Sequence, residues 1–179
     1  MSKRKLILFI ATSLDGYIAG EEHQMDWLFN VEGEGDNGFS KFYDSIDTVL
    51  VGRTTYDWII EYEKVDSIYN DKECYVFSRT ERSSLNNTFI NEDAAGFVRE
   101  LKNKDGKDIW LVGGGDLIHT FIKENLVDEL RVTVAPVLLG KGIPLFKKND
   151  FQTSLLLKGV NQYKQLVELC YEVVKRPNP

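Results

Sequence analysis

Residues 108–118 read DIWLVGGGDLI. The apolar run at Ile109–Val112 has the look of a strand buried on both faces. Gly113, Gly114 and Gly115 end it, and Leu117, Phe121 and Ile122 then recur at helical spacing. Three successive glycines cost chain entropy on folding. A special backbone conformation, close approach of a ligand to the main chain, or a tight strand-to-helix turn with Asp116 near the cap would each explain them. The spacing is not G-x-G-x-x-G, and no G-K-[ST] follows, so neither the Rossmann nor the P-loop fingerprint is present.

The same strand-to-helix grammar recurs on the N-terminal side. A first strand is expected over residues 5–11, apolar on both faces as at a sheet centre. Lys3-Arg4-Lys5 before LILFIA resembles a short signal peptide, but the run flows into polar SLDG without a small-residue cleavage pattern. Residues 12–38 read as an irregular loop rich in Gly, Asp and Glu, a length usually reserved for function. Phe39, Phe42, Tyr43 and Ile46 predict a helix, TVLVG (48–52) a buried strand, and RTTYDWIIEYEK (53–64) a helix. CYVFSR (74–79) and TFINED (88–93) predict strands, and residues 93–104 a helix. Alternation of this kind argues for a parallel sheet in an α/β fold. Beyond Leu126 the rhythm changes: residues 126–136, 153–158 and 165–175 all look extended with no helix between them, as in antiparallel C-terminal strands. One domain over residues 1–179 is expected.

The net charge of −6 argues against nucleic-acid and anionic-membrane partners, which need a basic footprint. A phosphorylated small molecule needs only local donors and stays compatible. Cys74 and Cys170 each sit in an apolar run outside any C-x-x-C motif and read as buried reduced thiols. His23 and His119 are too few and too isolated for a zinc site, so no metal is expected. No apolar run approaches the ~20 residues of a membrane span, and a cytoplasmic protein is expected.

Three strand ends carry anion-binding chemistry, and in open α/β sheets ligands sit at that edge. In VLVGRTTYD, Gly52 allows close approach, Arg53 offers a donor fork, Thr54 and Thr55 offer hydroxyls, and a helix N-terminus follows; Thr54-x-x-Asp57 reads equally well as a capping box. In VFSR, Ser78 and Arg79 end a strand where a basic residue suits the 2′-phosphate of NADP, or where Arg79 is simply a solvated charge. The third end is the GGGDLI turn.

GRTTYD, SR and GGGDLI after successive strands resemble dihydrofolate reductase. SLDGYIA (13–19), VDELRVTVAPVLLGKGIPLF (127–146) and the GGG turn resemble more closely the reductase domain of the bifunctional riboflavin deaminase–reductase, the RibD C-terminal domain family, in a standalone form. The resemblance covers residues 5–174 and implies a three-layer α/β/α sandwich with a mixed sheet of about eight strands. It implies NADPH as cofactor, a small-molecule substrate (a ribosylaminopyrimidine or a pteridine) and a homodimer. By that resemblance Ala11 and Ile18 face the nicotinamide. Gly52, Arg53, Thr54 and Thr55 take the pyrophosphate and 2′-phosphate region, and Ser78 and Arg79 flank the adenosine phosphate. Gly113, Gly114, Gly115, Asp116, Leu117 and Ile118 wrap the other side of the pyrophosphate. The zinc deaminase signature is absent. GRTTYD leans toward the folate enzyme and APVLLGKG toward the riboflavin reductase, so the substrate stays open between them.

Reduction of a C=N bond calls for a nearby acid. Counting back from Arg53 as in dihydrofolate reductases lands on Asp36, one turn before Phe39, whose ring would face the substrate. Asp36 reads equally as a helix N-cap. Asp26 is the second acid, and Trp27 beside it is an aromatic able to close over the nicotinamide. Asp15, in SLDG, reads as the corner of a turn rather than the acid. No Ser/His/Asp or Cys/His arrangement is legible. The alternative from another class is a nucleotide-binding sensor or assembly module without turnover.

Overall fold

The computed structural model describes residues 3–80, 86–91 and 93–177. Strand β1 (Leu6–Ser13) is followed by a short β2 (Tyr17–Ala19), a one-turn helix α1 (Asp26–Phe29) and α2 (Phe39–Ser45). Two strand–helix units come next, β3 (Ile46–Gly52) with α3 (Arg53–Glu63), then β4 (Glu73–Phe77), β5 (Thr88–Ile90) and α4 (Ala94–Leu101). The glycine-ended β6 (Asp108–Gly113) leads into α5 (Gly115–Lys123). The chain finishes with β7 (Glu129–Ala135), β8 (Ile143–Pro144), β9 (Leu155–Tyr163) and β10 (Leu166–Val173). Glu92, inside the expected TFINED strand, lies outside the described residues.

Among the described residues eight strands form one sheet in the order β5-β4-β3-β6-β1-β7-β10-β9. The run from β5 to β7 is parallel, β10 is antiparallel to β7, and β9 is antiparallel to β10. This is the expected α/β sandwich with antiparallel C-terminal strands. β1 sits between β6 and β7, which is why LILF is apolar on both faces. Alternate β1 residues feed two separate cores. Leu6 and Leu8 join the cluster of α4 and α5, through Val98, Leu101, Ile118 and Phe121. Ile7 joins the cluster of α2 and α3, through Phe42, Tyr56 and Ile59. In that second core Phe42 is fully buried, stacks on Phe9 at 4.1 Å and meets Trp110 edge-on at 5.6 Å. Burying such a ring is worth about 2–3 kcal/mol.

Several expectations shift. The loop over residues 12–38 is not wholly irregular: it contains β2 and α1, and β2 pairs with β8 in a two-stranded ribbon. Ile46 starts β3 rather than ending α2, because its side chain is drawn into the sheet core. Asp57 does not complete a capping box with Thr54: α3 has Gly52 at its N-cap with no side-chain cap, and the Asp57 carboxylate accepts from Arg53 Nε at 2.6 Å. Cys74 is buried, its thiol pushed up to about 12 by burial, but Cys170 is only half-buried, on β10.

The DEL segment that marks the resemblance has a structural job at the far end of the sheet. Asp128 accepts from the Leu6 amide (2.7 Å), Lys102 Nζ (2.5 Å) and Lys175 Nζ (2.9 Å), tying the start of β1 to α4 and the chain after β10. Burial works against ionisation of this carboxyl, but the bonds from Lys102 and Lys175 win and hold its pKa low.

Candidate functional site

The parallel strands end on one edge of the sheet, and there β3 and β6 are neighbours. Their two glycine turns meet backbone to backbone. A Cβ built on Gly52 would lie 3.3 Å from the Gly114 amide nitrogen and 3.4 Å from the Gly113 carbonyl oxygen. One built on Gly114 would lie 3.0 Å from Thr55 Oγ1. Gly113 has φ +130, a region that L side chains rarely adopt, so it takes this turn because it lacks a Cβ. Gly52, Thr55, Gly113 and Gly114 are thus brought together, with the first turns of α3 and α5 opening from the same seam.

On the α5 side the Leu117 and Ile118 amides donate to Gly114 O at 3.0 and 3.1 Å, and both side chains are buried in the core. Both amides are thus engaged within the turn, whereas those of Gly115 and Asp116 belong to the first turn, whose donors have no intrahelical acceptor. Asp116 is exposed, and its carboxylate pairs with Lys147. On the α3 side Arg53 turns toward β5: its guanidinium lies 5.9 Å from the Phe89 ring while Asp57 holds Nε. Thr54 is exposed. Ser78 is buried, donating to Thr80 O at 2.9 Å, and Arg79 beside it is exposed. Arg53 therefore leans toward the β4–β5 side, where Ser78 and Arg79 follow β4, while Asp116 and Lys147 pair at the start of α5, beside the end of β6.

Above β1 the chain folds back on itself. Ala11 is half-buried near the strand end, and Ile18 of β2 packs against the α5 core. Asp15 is the corner of its turn and also a clasp. Its carboxylate accepts from Ser13 Oγ (2.6 Å), the Leu139 amide (3.1 Å) and the Gly140 amide (2.7 Å), joining SLDG to the GKG loop. The Ser13 hydroxyl, then the Gly140 amide, hold its pKa below the usual carboxylate range. Gly142 (φ +153) packs against the Ala19 carbonyl with no room for a Cβ, which lets the loop run close beside β2.

The expected acids sit further out. Asp36 accepts from the Gly38 amide (3.0 Å) and the Ser40 amide (2.8 Å), building the entry to α2 from two residues before its Gly38 N-cap. Bonds from Ser40 hold its pKa below the usual carboxylate range. Asp26 starts α1 and is exposed. Trp27 is half-buried and borders a cavity of about 400 Å³ with Gly20, Leu139 and Lys141. Its indole N–H is buried without an acceptor among the described residues, and such a donor normally finds one. Phe39 belongs to the aromatic core, 5.7 Å from Trp110 and 5.3 Å from Tyr43. The structure thus gathers the glycine turns and Thr55 tightly but leaves both acids on the loop over residues 20–38.

The RibD C-terminal domain family model matches residues 4–169. The chain belongs to the RibD C-terminal domain family. It is 48% identical over 171 residues to the uncharacterized protein YwjB of Bacillus subtilis (strain 168), covering 94% of this chain and 98% of that one. A putative riboflavin biosynthesis protein from Shewanella sp. PV-4 superposes with a TM-score of 0.85 at 30% identity, over 96% of this chain and 99% of that one. A pyrimidine reductase-like protein from Corynebacterium diphtheriae shares the fold, with a TM-score of 0.69 at 15% identity over 98% and 94% of the two chains. The fold is the reductase-like one of this riboflavin-biosynthesis family. Among the described residues no helix is long and apolar enough to cross a membrane.

Sequence reasoning missed Lys147 and the buried pair Arg131–Glu168. Glu168 is 1% exposed, accepts from Asn161 Nδ2 at 2.7 Å, and its Oε1 lies 3.0 Å from Arg131 Nη2. Alternation along LVELCYEV puts Glu168 and Glu172 on one face, and nothing in the string says that one of them is covered.

Proposed function

We propose that the chain is an NADPH-dependent reductase acting on a planar heterocycle, a ribosylaminopyrimidine or a pteridine. The observation that carries this reading is the side-chain-free seam where Gly52 meets Gly113 and Gly114, flanked by Thr55 hydroxyl and two helix first turns. It fits a pyrophosphate: close backbone approach, first-turn amides and a hydroxyl converge on one spot. Arg53 and Arg79 lie toward the β4–β5 side, where an adenosine 2′-phosphate would meet them. A nicotinamide bound along this edge supplies hydride. The chain's own contribution is orientation: Ala11 and Ile18 form an apolar wall, and the clasp from Asp15 to the GKG loop holds β2 over it. Trp27 offers its indole N–H to a substrate acceptor. Asp36, released from the Gly38 and Ser40 amides by a bound ring, is the acid nearest in role to the folate-type carboxylate.

Arg79→Ala should weaken NADPH binding by roughly 10- to 100-fold, the worth of a charge-assisted contact, and leave NADH nearly unchanged. Fluorescence titration with each cofactor measures this, and equal losses would remove Arg79 from the 2′-phosphate site. A second reading, dinucleotide binding without turnover, draws on the engagement of Asp36 by the Gly38 and Ser40 amides. Saturable NADPH binding with no oxidation in the presence of pterins or aminopyrimidines would favour it.

The homodimer reading draws support from β9, an edge strand with Leu155, Leu156, Leu157 and Val160 all exposed. An open edge of this kind invites pairing with a second copy. Light scattering should give twice the 20.5 kDa chain mass, and Leu157→Glu should restore the monomer. A monomer from the unaltered chain would contradict this arrangement.

A further inference from the structure

We propose that Lys147 is a phosphate-binding residue of the cofactor site, taking the pyrophosphate from the side opposite Arg53 and Arg79. The inference rests on the dinucleotide reading above. Gly115 lies in a narrow slot: a Cβ there would be 3.3 Å from the Pro144 carbonyl oxygen and 3.9 Å from Lys147 Cε. The Lys147 stem therefore lies along the tri-glycine turn itself. Its ammonium pairs with Asp116, an exposed carboxylate in the first turn of α5.

That placement needs an explanation. Asp116 puts a negative charge beside the very amides an incoming phosphate would use, and a bare carboxylate there repels it. Lys147 cancels that charge. It has three donors, of which one carboxylate oxygen takes one. The remaining donors can reach a phosphate at the Gly115 amide without breaking the pair. Lys147 is 41% exposed along its side chain, so it swings at little cost. The strap that carries it leaves β8, which pairs with β2, so the same ribbon positions Ile18 and this ammonium. Pyrophosphate is common to NADH and NADPH, so Lys147 serves both, whereas Arg79 distinguishes them.

The test is a double-mutant cycle read by equilibrium binding of NADPH and of NADH to the intact chain. Lys147→Met should weaken both cofactors by about tenfold and flatten the salt dependence, while the exposed neighbour Lys148→Met changes neither. Asp116→Asn alone should tighten binding severalfold. In the Asp116→Asn background Lys147→Met should still cost about tenfold. Loss of the Lys147 effect in that background would overturn the proposal, because Lys147 would then only neutralise Asp116. Normal binding by Lys147→Met would overturn it as well. No saturable binding by the unaltered protein would overturn the dinucleotide reading and this inference together, whereas tight binding that ignores Lys147 overturns the inference alone.

Discussion

Gly52→Val should abolish measurable dinucleotide binding, a loss of at least about 100-fold, or roughly 2.7 kcal/mol. The reason is geometric. A Cβ at residue 52 comes within 3.3 Å of Gly114 N and 3.4 Å of Gly113 O, both of them backbone atoms that cannot swing aside. The two further methyl groups of Val enlarge the conflict and wedge β3 from β6 at their carboxyl ends. Overpacking of this kind costs about 1–3 kcal/mol of stability. Binding suffers more, because both walls of the phosphate seam move and displacements of about 1 Å are enough to lose such contacts. Gly52→Ala grades the effect, since one Cβ needs the turn to yield by only a few tenths of an ångström. Thermal melting and NADPH titration of the two variants separate stability from binding. Unimpaired NADPH binding by a folded Gly52→Val protein would show that the seam holds no cofactor.

Arg131→Met should destabilise the protein by about 3–5 kcal/mol, because it strands the Glu168 carboxylate in the interior. Glu168 is 1% exposed, and with Arg131 gone it keeps the Asn161 amide, a neutral donor, in place of a cation. Arg131 also lies 5.6 Å from the Phe9 ring and 5.5 Å from that of Phe42, so the change removes a cation from two aromatic faces. For a chain of this size the melting temperature should fall by about 10 °C. Replacing both partners, Arg131→Met with Glu168→Leu, should recover most of the loss, since two apolar groups need no pairing. A melting temperature that falls further in the double variant would mean that Glu168 has other partners of weight. The pair also bears on the site: the hairpin joining β9 to β10 presses Tyr163 Oη against Gly38 at the α2 entry, and the Gln165 amide donates to Glu32 O. Loosening β10 therefore loosens the loop that carries Asp36.

The fold was largely legible because its elements announce themselves locally. Apolar runs such as DIWLV and TVLV, each followed by glycine and a helical stripe, specify parallel strand–helix units almost without reference to the rest of the chain. β2 and β8 were not legible, since strands of three and two residues carry no period and exist only through each other. The Gly52, Gly113 and Gly114 seam was visible in the sequence only as two separate strand-end signals, GRTTYD and GGGDLI. Its strength lies in contact between turns about sixty residues apart, which no local pattern encodes. Arg53 and Asp57 show the opposite failure: the spacing fits both a capping box and an i,i+4 ion pair, and the structure takes the ion pair. Asp36 was expected as N-cap or acid; the N-cap is Gly38, and Asp36 accepts from the Gly38 and Ser40 amides from two residues before it. Asp15 kept its place as a turn corner, but its bonds to residues 139 and 140 link two motifs, SLDG and GKG, that are far apart in the chain.

The most direct measurement is a crystal structure of the protein grown with NADPH. The expected result has the pyrophosphate against the amides of residues 114–116 and Thr55, the 2′-phosphate at Arg53 and Arg79, and the nicotinamide beside Ala11 and Ile18. A dinucleotide bound away from the ends of β3 and β6, or no dinucleotide at millimolar NADPH, would contradict the assignment of this edge as the cofactor site.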